Sequence, residues 1–525
     1  MMKLLSLLCL AVGNLCAQEG QMEIESQKCE FDGKKITLNG SISLVHELGK
    51  MTADEAVLFA NPDEKKLSIG MLKINKNVII TSKEGSQLTC DEALINYKTM
   101  QGNFSGADPS AFVTFYEVAK EKSGPILMLK SRSMQAQIAR QENTEKGSST
   151  LKEIIALKDV NIEYKDLNVT ADKGIYSRTD NPDLSSEGAA TLKAIPGTII
   201  LSMDQPESYC HVKSAKGDLI QSFKLHIDTA KNEINFLMPQ GKVQFQQNTV
   251  ESSLEFSADN LLWKLNGSLY RPKTEMEKQK SDKANPQFQP SGGILLLSKN
   301  VSVDIQNKGT LTTDCELEIH YQNINGKRQL RSIESNGHTT LSSPEKQEGH
   351  FHFLYCFGRF FVDHDKMITT FDSPTNEQGI TALGKQVVFR DSLGEMHADK
   401  LTLYYQNIEG KISPSRLIAE GNVYLLDRKG TPANQDASLI HYALADRVKY
   451  EFESKEALFT ASKKKRVLFY DKTNNLQISA PALKLKRDGG NNKESIQGIG
   501  DVRFSFMENE VQQLKARFET LPHRY

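Results

Sequence analysis

Asp363-His364-Asp365 offers two carboxylates and an imidazole in succession, the side chains that hold a divalent metal. Consecutive residues on a strand point to alternate faces, so the expectation here is a solvated turn rather than a metal site. His350 and His352 share a face but have no evident third ligand. Aspartates follow small residues at Asp54, Asp91, Asp172, Asp259, Asp399 and Asp446, and any pair of them invites comparison with the two carboxylates of glycoside hydrolysis. They recur at the same place in successive units, which one active site does not require, so a role in the start of a strand is expected. Lys463-Lys464-Lys465-Arg466 would either meet lipid phosphates at a rim or act as a charged edge that discourages aggregation. No nucleophile elbow, phosphate loop or Ser/His/Asp arrangement occurs, and no catalytic residue, metal or cofactor is assigned. The chain is not expected to be an enzyme.

Composition narrows the class. The 65 basic residues balance the 66 acidic ones, which gives no reason to expect nucleic acid. A hydrophobic fraction of 38% with Trp263 as the lone tryptophan suits thin, elongated layers better than a large globule. Cys29, Cys90, Cys210, Cys315 and Cys356 are far apart, odd in number and without metal-ligand spacing, so neither a zinc site nor a disulfide framework is read.

The elements that would position any site come from a repeat. Its clearest copy is the run Arg416-Leu-Ile-Ala-Glu-Gly-Asn-Val-Tyr-Leu-Leu-Asp-Arg-Lys-Gly430. The core of the pattern is Gly or Lys, any residue, Val or Ile, any residue, and an apolar residue. It occurs at Ile42/Leu44, Val78/Ile80, Val160/Ile162, Val243/Phe245, Val301/Val303, Val387/Phe389, Val423/Leu425, Val467/Phe469 and Val502/Phe504. Weaker copies fill the double-length gaps at Val113/Phe115, Ile199/Leu201 and Thr339/Leu341, dividing 42 to 502 into eleven steps of about 42 residues.

Each unit has a second half, in which a small residue and an acidic one precede alternating apolar positions. Ala171-Asp172 with Gly174 and Tyr176, Ala258-Asp259 with Leu261 and Trp263, and Ala398-Asp399 with Leu401 and Leu403 are examples. Period-two alternation is strand writing, and turn formers such as Lys83-Glu84-Gly85 and Ser392-Leu393-Gly394 separate the halves. One such hairpin cannot offset its own conformational entropy, but a stack of them sharing columns of valines and aromatics can. Ser133 to Arg140 and Glu508 to Phe518 fit a helical turn or two as well as a strand.

Met1-Met-Lys3, an apolar run from Leu4 to Val12 and small residues at Gly13 and Ala17 read as a signal peptide over 1–17, with Cys9 and Cys16 lost on cleavage. Segment 18–270 is then an N-terminal ladder, 271–292 a polar linker or loop, and 293–525 a C-terminal ladder.

A strand ending Ala419-Glu420-Gly421-Asn422-Val423, followed by an Ala445-Asp446 strand with Val448 and Tyr450, resembles the OstA-type family of periplasmic lipopolysaccharide-transport proteins. The likeness is best over 151–178, 240–263 and 380–450. It implies an all-β fold: an elongated open β-jellyroll ladder, here of about twelve stacked hairpin repeats, mostly antiparallel and with very little helix. It also implies a periplasmic protein, peripheral to the outer membrane at most, that shields the acyl chains of lipid A. Its partners would be lipopolysaccharide, and other jellyrolls of this type or a second copy through end-to-end strand pairing. The chain ends at Tyr525, too soon for a barrel beyond the repeats, so the outer-membrane translocon itself is not expected.

Each acyl methylene exposed to water costs about 0.8 kcal/mol, so an apolar trough is a physical requirement for such a cargo. The lining candidates are Val78, Ile80, Val160, Ile162, Val243, Phe245, Trp263, Val301, Val303, Val387, Phe389, Val423 and Leu425. Two further readings stand beside it: a secreted β-solenoid enzyme acting on polysaccharide, and a repeat scaffold or adhesin without lipid.

Overall fold

A computed structural model describes residues 23–505 except 47–48, 62–68, 84, 119–124, 141–148, 179–196, 248–249, 268–291, 306–308, 343–352, 383, 391–393, 409–410, 429–438, 473–475 and 488–493. The segment 1–17 expected to be a signal peptide, His350, His352 and the stretch 508–518 lie outside these residues. Every described element is a β-strand, and every pairing between strands is antiparallel within each of two compact units, Met1–Pro239 and Gln240–Tyr525. Ser133–Arg140 is a strand.

The Gly/Lys-x-Val pattern has a backbone cause. At five of the nine clear copies both residues before the first apolar one sit in the left-handed region, with φ of 80° and 44° at Gly40 and Ser41, 62° and 52° at Lys76 and Asn77, 64° and 49° at Lys158 and Asp159, 62° and 49° at Lys299 and Asn300, and 78° and 44° at Gly421 and Asn422. Gly, Asn and Asp tolerate that region best, and at these five copies the second place is filled by Ser, Asn or Asp. Leu157 pairs with Lys173 and Val160 with Ala171, so Lys158 and Asp159 together stand opposite the single residue Asp172. The same two-against-one bulge sets Lys76-Asn77 against Asp91 and Gly421-Asn422 against Asp446. A bulge of this kind bends a strand sharply. One long strand such as Ser149–Tyr164 therefore pairs with Ser133–Arg140 along its first half and with Pro125–Ser131 along its second.

The recurrent aspartates hold these bends. Asn77 Nδ2 donates to Asp54 at 2.7 Å, Asn300 Nδ2 to Asp259 at 3.1 Å, and Asn422 Nδ2 to Asp399 at 2.8 Å, each linking a bend to the Ala-Asp corner before it in the chain. They form a structural seam, as the repetition indicated.

In the first unit this produces two ladders. Ladder A runs, neighbour to neighbour, through 23–25, 42–46, 49–53, 78–82, 87–90, 113–118, 125–131, 160–164, 167–171, 210–214 and 219–222. Ladder B runs through 28–31, 35–39, 55–60, 69–75, 92–96, 101–105, 133–140, 149–157, 173–178, 197–202, 224–228 and 233–237. The bends join the ladders along one edge, and hairpin turns line the other edge, called the mouth below. Alternate residues of both ladders face a shared interior: Leu44, Val113, Phe115 and Ile162 from ladder A, Leu72, Ile154, Tyr176 and Ile227 from ladder B, all buried.

The second unit repeats the plan. Its ladder A contains 240–247, 250–257, 301–305, 309–313, 339–342, 353–356, 387–390, 394–398, 423–428, 439–445, 467–471, 476–480 and 503–505. Its ladder B contains 260–267, 292–298, 317–324, 327–336, 359–363, 368–372, 400–408, 411–420, 447–451, 456–460, 482–487 and 494–499. Asn260 pairs with Ser298 and Gly267 with Gly292, so the polar segment 271–292 connects the two strands of one hairpin in this unit. That segment lies outside the described residues up to 291.

Five strands enter ladder A from a bend or corner in the first unit and seven in the second, among the described residues, which makes twelve repeats. One weak copy is displaced. Ile199/Leu201 lies on ladder B, paired to Tyr176 and Gly174, and the ladder A place of that repeat belongs to the buried pair Cys210/Val212. A long corner at 203–209 precedes it, so neither Gly nor Lys marks its start.

Candidate ligand-lining interior

The repeat places the predicted lining side chains in order. Val78, Val160, Ile162, Val243, Phe245, Val301, Val303, Val387 and Val423 occupy the interior face of ladder A, and Trp263 that of ladder B. None of these ten is more than 3% exposed, so the two inner faces pack against each other and exclude solvent from the columns. Ile80, Phe389 and Leu425 are partly exposed, because each lies near the hairpin-turn end of its strand. In the 421–428 run strict alternation breaks down: Tyr424 and Leu426 are buried alongside Val423, so both faces of this strand are covered.

Among the described residues, contacts made by side chains bridge the two ladders at the mouth. In the first unit Arg178 of ladder B meets Glu117 of ladder A at 3.0 Å, with side-chain exposures of only 5% and 2%. Ser86 Oγ donates to Glu117 Oε1 at 2.8 Å, Tyr176 OH donates to Glu117 Oε2 at 3.1 Å, and Arg178 Nη2 donates to Ser86 Oγ at 2.7 Å. Burial, with the Glu117 charge next to it, pushes the Tyr176 phenol well above its ordinary range, so Tyr176 stays a donor. Nearby, Tyr164 OH and Lys165 Nζ of ladder A donate to Asn232 Oδ1 in a ladder B turn at 3.1 and 2.6 Å, and His46 packs edge-on against Tyr97.

In the second unit the corresponding arginine is Arg328 of ladder B. It is 4% exposed, lies 4.8 Å from the Tyr321 ring centroid, 5.1 Å from that of Trp263 and 5.9 Å from that of Phe245, and donates to the Gln244 carbonyl of ladder A at 3.3 Å. Trp263 Nε1 donates to Tyr321 OH at 2.8 Å, which fixes the cage. Guanidinium over aromatic faces is favourable where water is excluded.

The second unit also carries a buried carboxylate, on the side of ladder A facing away from the columns. Glu395 Oε1 bonds His397 Nε2 at 2.6 Å, and Arg390 donates to Glu395 Oε2 through Nε and Nη2 at 2.9 and 2.8 Å. His397 Nδ1 in turn contacts Tyr424 OH. Burial raises the Glu395 carboxyl, but the hydrogen bonds and charges of His397 and Arg390 together outweigh it and bring the group down to about 2.

Other expected features resolve simply. Asp363 accepts the N–H groups of Asp365 and Lys366 at 3.1 and 3.0 Å, a solvated hairpin turn, and no metal-ligand cluster occurs among the described residues. In the basic run, Lys465 pairs with Asp446 at 3.0 Å, and Arg466 with Ser479 at 2.7 Å. Cys90, Cys210 and Cys356 are buried thiols, pushed up by burial to about 12, 12 and 11. Sequence reasoning missed Glu117, Arg178 and Arg328. Each stands on the interior-facing period of its strand, and a charged residue at an apolar position was the available signal. No family model matches the chain, and no curated protein matches it.

Proposed function

We propose that the protein is a periplasmic lipopolysaccharide carrier of the OstA type, with lipid acyl chains taken up between ladders A and B. The observation that supports this reading most is the asymmetry of closure. One edge of each unit is joined covalently by every bend, whereas the mouth is held by contacts such as Arg178–Glu117 and Arg328–Gln244, which can open without breaking the chain. Parting the ladders there would expose unbroken columns of Val, Ile, Leu and Phe, and each acyl methylene placed between them would recover about 0.8 kcal/mol. Because apolar attraction is non-directional, equivalent rungs would let a chain slide with small barriers.

A second reading, a closed scaffold without cargo, is favoured by the near-zero exposure of Val243 and Val387. The two readings separate on extraction of the purified protein followed by mass spectrometry. Recovery of multiply acylated lipid A species supports the carrier; folded, repeatedly lipid-free preparations from lipid-A-containing cells overturn it. Ile80→Glu, at the partly exposed end of the column, is expected to lose the bound lipid while keeping the fold. Val387→Asp buries a carboxyl among apolar groups and should lower stability by several kcal/mol in either case.

A further inference from the structure

The first rung of the first unit and the last rung of the second are guarded differently. The first rung is Glu23–Glu25 and Lys28–Phe31, each paired on one side among the described residues, and four of its seven residues are charged. Charge on an edge strand discourages another strand from adding to it. The last rung is Glu494–Ile499 and Arg503–Ser505, likewise paired on one side, to 482–487 and 477–479. Only two of its nine residues, Glu494 and Arg503, are charged. Phe504 stands opposite the buried Ile478, on the interior face, yet is 60% exposed, and Ile499 is 44% exposed. The end of a repeat array needs a polar cap over such a rung to stay soluble.

The chain that follows has the pattern of a cap. Residues 506–525 carry Val511, Leu514, Phe518 and Leu521, a spacing of three, four and three that puts all four on one stripe of a helix, with Gln512, Gln513 and Glu519 on the opposite side. Asn509 with Gln512 three places on is a helix start, Glu510 suits the positive end, and Pro522 is a stop. A helix over 510–521 would be about 18 Å long and about 10–12 Å across. The strand Glu494–Ile499 is about 20 Å long and packed sheets lie about 10 Å apart, so the helix matches the end of the rung in both dimensions. Arg503 pairs with Ser479 and Ser505 with Gln477, so the chain leaves the rung at its mouth end. Residues 506–509 can reach about 13 Å, enough to turn from ladder A onto the gap between the ladders.

We propose that 506–525 docks as an amphipathic helix across the last rung of the second unit, with its apolar stripe on the interior-facing Phe504 and Ile496. The helix closes the interior at this end and takes its poorly charged edge out of pairing with another ladder. Such a cap is independent of what the interior carries.

The test is thiol labelling of the intact chain carrying Phe504→Cys with N-ethylmaleimide, read peptide by peptide by mass spectrometry, each rate being divided by that of the same thiol in denaturant. Cys29, exposed in the first rung of the first unit, is the internal reference. The thiol introduced at 504 is expected to react about tenfold or more slowly than Cys29 on this scale. Adding Leu514→Glu and Phe518→Glu should bring it up to the Cys29 rate and leave Cys29 unchanged. Equal reactivity of the two thiols before those additions, or protection that survives both glutamates, overturns the proposal. So does protection that disappears on dilution, which would give the last rung to a second copy.

Discussion

The two units bend their strands in the same way and close their mouths differently. In the first, the arginine that reaches across from ladder B meets a carboxylate, Glu117, inside the interior. In the second, Arg328 is received by three aromatic rings and a backbone carbonyl, and the buried carboxylate, Glu395, is kept on the far side of ladder A with His397 and Arg390. A buried ion pair punishes the loss of either partner, because the survivor is left charged in a poor solvent. An aromatic cage around a cation has no second charge to strand. The same closure can therefore be made brittle or forgiving by what faces the guanidinium.

The largest effect should come from Glu117→Gln, which leaves Arg178 without its counter-charge and is expected to lower stability by about 3–5 kcal/mol in chemical denaturation. Replacing both Glu117 and Arg178 by Met should recover most of that loss. A double variant as unstable as the single one would mean that the pair is not the source of the difference. Next in size is Arg328→Met, expected to cost about 1–2 kcal/mol through the lost ring contacts. If it proves as damaging as Glu117→Gln, the contrast between the mouths fails.

Acid sharpens the comparison further. Glu395 is depressed to about 2 in the folded protein, so its contribution is complete above the unfolded carboxyl range and is lost as pH falls towards 2. Denaturation midpoints measured between pH 5 and pH 2.5 should fall more steeply for the wild type than for Glu395→Gln. Parallel slopes would remove the charged pairing from the account. The smallest effects belong to what the units share. Asn77→Gly in the first and Asn422→Gly in the second each remove one hydrogen bond to an aspartate of the preceding corner while keeping a residue at ease in the left-handed region, and each should cost about 1 kcal/mol. Unequal values would show that the bends, too, have diverged.

Much of this architecture is legible in the chain. The valine columns follow from period two, and the Gly/Lys-Asn places could be found because few residues accept two left-handed backbone positions in succession. The missed copy at Cys210/Val212 shows the limit of that signal: where a long corner replaces the bulge, no special residue is needed and the pattern is silent. Arg178 and Glu117 were each legible only as a charge on an apolar period, and their pairing was not legible at all. They lie 61 residues apart, each at the end of its strand, where a charge ordinarily faces water. An outer cleft of the first unit, lined by Phe112 and Met203, is likewise assembled from two corners that only strand pairing brings side by side.

What the sequence by itself determined is the rung: alternating side chains write the strand, and paired left-handed residues write its bend, both through local sterics. Which rungs became neighbours, which charges were enclosed between the ladders and which loops came to flank the outer cleft were decided only by the folded ladder. Those outcomes depend on removing groups from water, and how much water a side chain keeps is a property of its neighbours in space.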